Sequence, residues 1–227
     1  WTKGLDKRHI TVAEALKENG YKTIHIGKWH LDFPEKGNQG PTAHGFDVSH
    51  DKPQGTRGYF ISDSTVNSLG LQSNYSTDYL TSKAIEEIQK AKDDPFFLYF
   101  AYNVPHTPIQ GKEDFIKYFI EKVDTYAIHK NPTYAAMVKS LDTSVGRVIE
   151  LLEIEGILED TLIVFTSDNG GLTQRHGNHD NFTENIPLRR GKGSAYEGGV
   201  RVPAIASWPG FIPEGVKSDT PIMTIDY

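Results

Sequence analysis

The chain has 227 residues, 37% hydrophobic and 24% charged, which suits one sizeable α/β domain or two small ones of ordinary globular composition. Its net charge of -6 argues against general nucleic-acid binding, though not against a local basic pocket. It contains no cysteine, so disulfides, thiolate metal sites and a cysteine nucleophile are excluded within these residues, and no apolar run approaches the ~20 residues of a bilayer span.

In chain order, Thr11 to Asn19 ("TVAEALKEN") predicts a short helix, with Thr11 as N-cap, Glu14 completing a capping box and Gly20 as the stop. Tyr21 to Gly27 predicts a strand, and residues 32–77, rich in Gly, Pro, Asn, Asp and Ser, predict a long irregular excursion of the functional kind. A helix is expected over Thr77 to Lys92. The strand "PFFLYFAY" (Pro95 to Tyr102) follows, apolar enough to be buried on both faces of a parallel sheet. The longest helix is predicted from Pro132 to Glu155, with Val138, Leu141, Val145, Val148, Ile149 and Leu152 as its core stripe and Gly156 as its end. Strands are expected at Thr161 to Thr166 and at Val202 to Trp208, on either side of a polar loop, Gly170 to Arg190. There is no internal repeat. Alternating helices and strands predict an α/β sandwich with a mainly parallel central sheet flanked by helices, whose ligands gather beyond the carboxyl ends of the strands.

Four such ends carry polar clusters. "TIHIGKWHLD" places Lys28 and His30 two residues apart; in extended backbone they share a face and make an anion grip with a proton acceptor beside it, or else the strand simply breaks into solvent. "NVPHTPI" holds His106 between two prolines, as a proton donor or oxyanion contact, or as a half-buried histidine in a Pro-rich turn. "SDNGG" offers Asp168 and Asn169 as hard oxygen ligands suited to Ca²⁺ or Mg²⁺, or as an Asp-Asn-Gly turn. Lys192 between Gly191 and Gly193 lets an anion approach both backbone N–H groups and the ammonium, or else belongs to an exposed loop. His25 is expected to be structural. His44 and His50, in the long polar stretch, are left as possible substrate-facing groups. His176 and His179 have no third ligand at zinc spacing and are expected at a pocket rim or on the surface.

Taken together, "GKWHL", "HGFD", "VPHTPI", "TSDNGG" and "LRRGKGSAYEGGVRVPAI", in this order across Thr11 to Pro209, strongly resemble the type I sulfatases, arylsulfatase-like members of the alkaline-phosphatase superfamily. The resemblance implies hydrolysis of sulfate esters by a formylglycine made from cysteine or serine in a Cys-x-Pro-Ser-Arg-type motif. It implies that Lys28 contacts the formylglycine hydroxyls and the sulfate, and that His30 takes the diol proton that drives sulfate elimination. His106 and Lys192 would hold the sulfate near the bridging oxygen and help the alcohol leave, and Asp168 and Asn169 would be two ligands of a Ca²⁺. A thinly charged sulfate held by a cation and two lysines is physically sensible, because those charges also offset what builds in the transition state.

The departures are specific. There is no cysteine and no Ser-x-Pro-x-Arg substitute, the family's two upstream Asp ligands and the Asp-x-x-Pro-Thr segment are absent, and Asp32 replaces the usual Gly after "GKWHL". The start at Trp1 and the end in "PIMTIDY" lead us to expect the central part (1–227) of a sulfatase catalytic domain, incomplete at both ends, without activity as given and binding calcium weakly. Alternatives are a phosphonate or phosphodiester hydrolase of the same superfamily, or a non-catalytic sulfated-glycan binder. Residues 33–74 and 172–189 are expected to line the pocket, and their polar, histidine-containing character favours a sugar sulfate. The resemblance also implies an extracytoplasmic location (periplasmic, secreted or lysosomal); oligomeric state is not readable.

Overall fold

The computed structural model describes residues 4–32, 40–123, 128–173 and 182–226. Helix α1 (Val12–Glu18) begins with the expected capping box: the Thr11 hydroxyl accepts from the Glu14 N–H at 3.1 Å, and the Glu14 carboxylate accepts from the Thr11 N–H at 2.8 Å. Strand β1 (Lys22–Gly27) follows and is buried from Thr23 onward. It is the centre of a three-stranded sheet, with β2 (Val48–His50) on one side and β5 (Phe96–Ala101) on the other, both parallel to it.

The membership of β2 corrects the expectation of an irregular excursion over residues 32–77. That stretch also holds a 3-10 turn at Pro41–His44, the hairpin β3 (Thr56–Arg57) to β4 (Phe60–Ile61), and helix α2 (Asp63–Leu69) capped by Ser62. Each piece is too short to show a period against its Gly, Pro and Ser neighbours.

Register explains the two faces of the sheet. Ile24 and Ile26 pair with Leu98 and Phe100 and pack on Leu80 and Ala84 of α3 (Ser76–Ala91). Thr23 and His25 pair with Phe97 and Tyr99 on the opposite face, where Phe46 lies against both aromatic rings. That second face is not closed over β5: Tyr99 is 47% exposed, so this strand is not buried on both sides as its composition predicts.

Helix α4 (Glu113–Ile120), not predicted from the sequence, leads to α5 (Pro132–Ile154), capped by the Asn131 side chain. The predicted α5 stripe holds at Leu141, Val148 and Leu152, which are in or against the core, but not at Val138. Val138 is 41% exposed, while Ala136, Met137, Ser140, Ser144, Leu151 and Leu152 are buried. Small residues let the helix seat closely, and the Ser140 hydroxyl is satisfied by its own backbone at the Ala136 carbonyl (3.0 Å), so polarity misleads here. Ile88, Leu151 and Leu152 join α3 to α5, with Phe96, Leu98 and Ile163 packed against them.

The last two strands, β6 (Ile163–Thr166) and β7 (Ala204–Ser207), pair antiparallel with each other. Among the described residues they are not hydrogen-bonded to the parallel sheet. The α/β class with a parallel sheet and flanking helices therefore stands, with these two strands forming a separate ribbon. A one-turn helix, α6 (Glu197–Val200), precedes β7. No described helix is long and apolar enough to cross a membrane.

Candidate anion-binding site at the strand ends

Strand β1 stops at Gly27 because the backbone comes too close for any other residue. Gly27 has φ +99°, and a Cβ there would run into the Ala101 carbonyl oxygen. The next N–H, that of Lys28, donates to that same carbonyl at 2.9 Å, the last bond of the ladder. Trp29 turns inward, its ring centroid 5.6 Å from that of His25 and 5.5 Å from that of His44. His30 adopts φ +58°, in the left-handed region. The left-handed conformation at His30 departs from the extended backbone on which the argument for Lys28 and His30 sharing a face rests. Lys28 is half-buried and His30 exposed, and neither side chain has a hydrogen bond or ion pair among the described residues. Asp32, the departure noted above, accepts the Gly40 N–H at 2.8 Å and so brings residues 32 and 40 together.

His106 lies beyond the end of the neighbouring strand β5, in a loop clamped by two tyrosines. The Tyr59 hydroxyl reaches both the Asn103 carbonyl (2.7 Å) and the His106 carbonyl (2.9 Å), and the Tyr75 hydroxyl donates to the Gln110 carbonyl (2.8 Å). Both phenols are buried, and burial drives their pKa values above the ordinary range. Tyr59, Tyr75, Val104 and Met137 form a separate core beneath the loop. The imidazole itself is exposed. Its Nδ1 lies 2.7 Å from the Thr107 carbonyl, which can only accept, so Nδ1 carries a proton and Nε2 is the nitrogen left for exchange.

Asp168 and Asn169, beyond β6, are tied to Lys192 through backbone. The Lys192 N–H donates to the Gly171 carbonyl (3.0 Å), the Gly170 N–H to the Gly199 carbonyl (3.0 Å), and the Asn185 amide reaches the carbonyls of Gly171 and Gly198, both at 3.0 Å. A Cβ on Gly170 would collide with the Gly198 carbonyl, and one on Gly191, Gly198 or Gly199 with the carbonyls of Gly171, Arg190 or Ser194, which accounts for these four glycines. One expectation is corrected here: the backbone N–H of Lys192 is already donated and is not open to an anion. Its ammonium has no hydrogen bond or ion pair among the described residues.

Asp168 is exposed, and the Asn169 amide nitrogen donates to the Gly170 carbonyl (3.0 Å), leaving its Oδ1 outward-capable. The Asp168 charge reaches the sheet: after burial, it is what raises the Tyr99 phenol, although solvent at this half-open ring screens much of the push. Oxygen donors of this kind suit calcium. Yet no group of three or more His, Cys, Asp or Glu able to hold a metal occurs among the described residues, so the pair is at most part of a site.

His25, His44 and His50 are engaged elsewhere in the fold. His25 is buried as expected, bonded to Ser49 Oγ at 3.0 Å, and burial lowers its pKa. His44, considered for substrate contact, is also buried, in the aromatic cluster with Trp29. His50, considered likewise, pairs with the Glu87 carboxylate at 3.1 Å. His176 and His179 lie outside the described residues. Two residues of the site region were missed in sequence, Lys52 and Tyr59; only the "HDKPQGTRGY" cluster of cation, glycines and tyrosine hinted at them.

A family model described as Sulfatase matches residues 2–227. An arylsulfatase of Hemicentrotus pulcherrimus is 32% identical, over 96% of this chain and 42% of that protein. An N-acetylgalactosamine-6-sulfatase of Canis lupus familiaris is 32% identical, over 92% of this chain and 41% of that protein. Among solved structures, Ps i-CgsB in complex with k-i-k-neocarrahexaose is similar with a TM-score of 0.77 and 34% identity, over 93% of this chain and 50% of that one. The chain thus spans half or less of the length of these proteins.

Proposed function

The chain belongs to the sulfatase family, and from that premise we propose that it is the central part of a catalytic domain hydrolysing sulfate esters of carbohydrates. The observation that carries the reading is the clustering of unneutralised polar groups at parallel strand ends: Lys28 and His30 after β1, and His106 after the adjacent β5. Sugars as substrates are supported by relatives named for a sulfated hexosamine and by a neighbour solved with a neocarrahexaose. An extracytoplasmic location belongs to the same proposal.

In this reading the Lys28 and Lys192 ammonium groups bind sulfate oxygens and oppose the charge that develops as the ester breaks. His106 keeps Nδ1 protonated on the Thr107 carbonyl and exchanges a proton through Nε2 near the leaving oxygen. His30, exposed and unpaired among the described residues, takes the proton whose loss frees sulfate from the enzyme. Asp168 and Asn169 Oδ1 would hold part of a calcium ion, which when bound supplies positive charge to the sulfate. Two donors fall short of the six or more it needs, so the other donors, and the formylglycine, come from sequence outside these 227 residues.

The test is calorimetric titration of the chain with N-acetylgalactosamine 6-sulfate and with the unsulfated sugar. Binding of the sulfated sugar alone, weakened in Lys28→Met and Lys192→Met, supports the reading. Equal binding of the two sugars rejects it.

A further inference from the structure

Lys52 lies beside Lys28 by strand register. Strand β2 runs parallel to β1 with Ile26 opposite His50, so Lys28 and Lys52 each stand two residues past a paired position, at the same end of neighbouring strands. Lys52 is half-buried. Its ammonium donates to the Gly58 carbonyl at 3.2 Å and lies 5.1 Å from the centre of the Tyr59 ring, the same tyrosine whose hydroxyl reaches the His106 carbonyl. The nearest acid in sequence, Asp51, accepts the backbone N–H of Lys52 at 2.7 Å instead of pairing with its ammonium. Among the described residues, no carboxylate forms an ion pair with Lys52.

A half-buried ammonium held by one carbonyl and a ring, close to a second unneutralised lysine, is costly unless an anion shares the space. Its electrostatics agree: burial lowers the Lys52 pKa, the Asp51 charge opposes this, and the Lys28 charge adds to it. We propose that Lys52 is a specificity-determining residue that binds a second anionic group, a sulfate ester or a uronate carboxylate, on the sugar whose sulfate sits at Lys28. The ring of Tyr59 and the Gly58 carbonyl hold the ammonium in place, so recognition of the second anion and the position of the His106 loop depend on one side chain. This rests on the sulfatase reading above and adds substrate class to it.

The experiment compares the chain with Lys52→Gln, whose amide can still donate to the Gly58 carbonyl. Three probes are titrated at low salt: N-acetylgalactosamine 6-sulfate, N-acetylgalactosamine 4,6-disulfate, and glucuronate linked to N-acetylgalactosamine 6-sulfate. The native chain is expected to prefer at least one doubly anionic probe over the single sulfate by about tenfold, the size of one charge-assisted hydrogen bond. Which probe is preferred tells sulfate from carboxylate. In Lys52→Gln that ratio is expected to fall close to one. A native ratio near one, or a variant that keeps the native ratio, overturns the assignment of Lys52 and leaves the sulfatase reading standing. Failure of the native chain to bind any of the three overturns both.

Discussion

The Tyr59 hydroxyl spans the Asn103 and His106 carbonyls, so the histidine at the end of β5 is held from a hairpin more than forty residues upstream in the chain. Tyr59→Phe removes the hydroxyl that reaches both carbonyls while keeping the buried ring; the Asn103 carbonyl keeps the His106 N–H, and the His106 carbonyl loses the phenol. It is expected to cost about 1–3 kcal/mol, the range for a partner left unsatisfied. Urea unfolding measures the loss, and amide exchange at His106 should quicken with it. Unchanged exchange at His106 would mean that the loop is held by its prolines and not by Tyr59.

Asp47 joins α1, β1 and β2. Its carboxylate meets the Lys17 ammonium at 2.7 Å, the Thr23 N–H at 3.0 Å and the Thr23 hydroxyl at 3.1 Å. Burial pushes its pKa up, but Lys17 and Thr23 outweigh this and hold it at about 2. The folded value lies below the unfolded one of about 3.9, so the stabilisation is complete above about pH 4 and is lost as pH falls toward 2. Asp47→Asn should lower stability at neutral pH by at most about 2 kcal/mol, less at high salt because Lys17 is half-exposed. The gap from the native chain should close between about pH 4 and pH 2 in denaturant titrations.

Two glycines should respond oppositely to alanine. Gly170→Ala drives a Cβ into the Gly198 carbonyl and is expected to destabilise by about 3 kcal/mol or more, with loss of sulfated-sugar binding through Lys192. Gly146, in α5, has open space where its Cβ would go, and Gly146→Ala should stabilise by about 0.5–1 kcal/mol. Thermal unfolding of the pair is the check; a harmless Gly170→Ala would contradict the close packing of the two loops.

In an active parent enzyme, Lys28→Ala and Lys192→Ala should each lower kcat by about two to three orders of magnitude, the range for a preorganised electrostatic contact. A change in KM with kcat preserved would instead assign these lysines to ground-state binding.

Calcium at about 1 mM should leave the unfolding transition of this chain within ~1 °C of its metal-free position, because Asp168 and Asn169 are too few donors for useful affinity. A larger shift, abolished in Asp168→Asn, would reveal further donors near β6.

Features that depend on neighbours a few residues apart are legible in the amino-acid order. The Thr11–Glu14 capping box, the helix starting at Pro132, and the apolar runs ending in Lys28, His106 and Asp168 are local patterns, and all are found where the residues predict them. Tertiary structure alone decided what meets across the chain. Three residues, Val48–His50, are too few to show a period, yet their register sets Lys52 beside Lys28. His44 and His50 look alike in a polar stretch, but Trp29 takes one into the core and Glu87 pairs with the other. The donated N–H of Lys192 and the antiparallel ribbon of β6 and β7 have the same origin. Each follows from a backbone group meeting a partner many residues away, and side-chain periodicity carries no record of where backbone hydrogen bonds end.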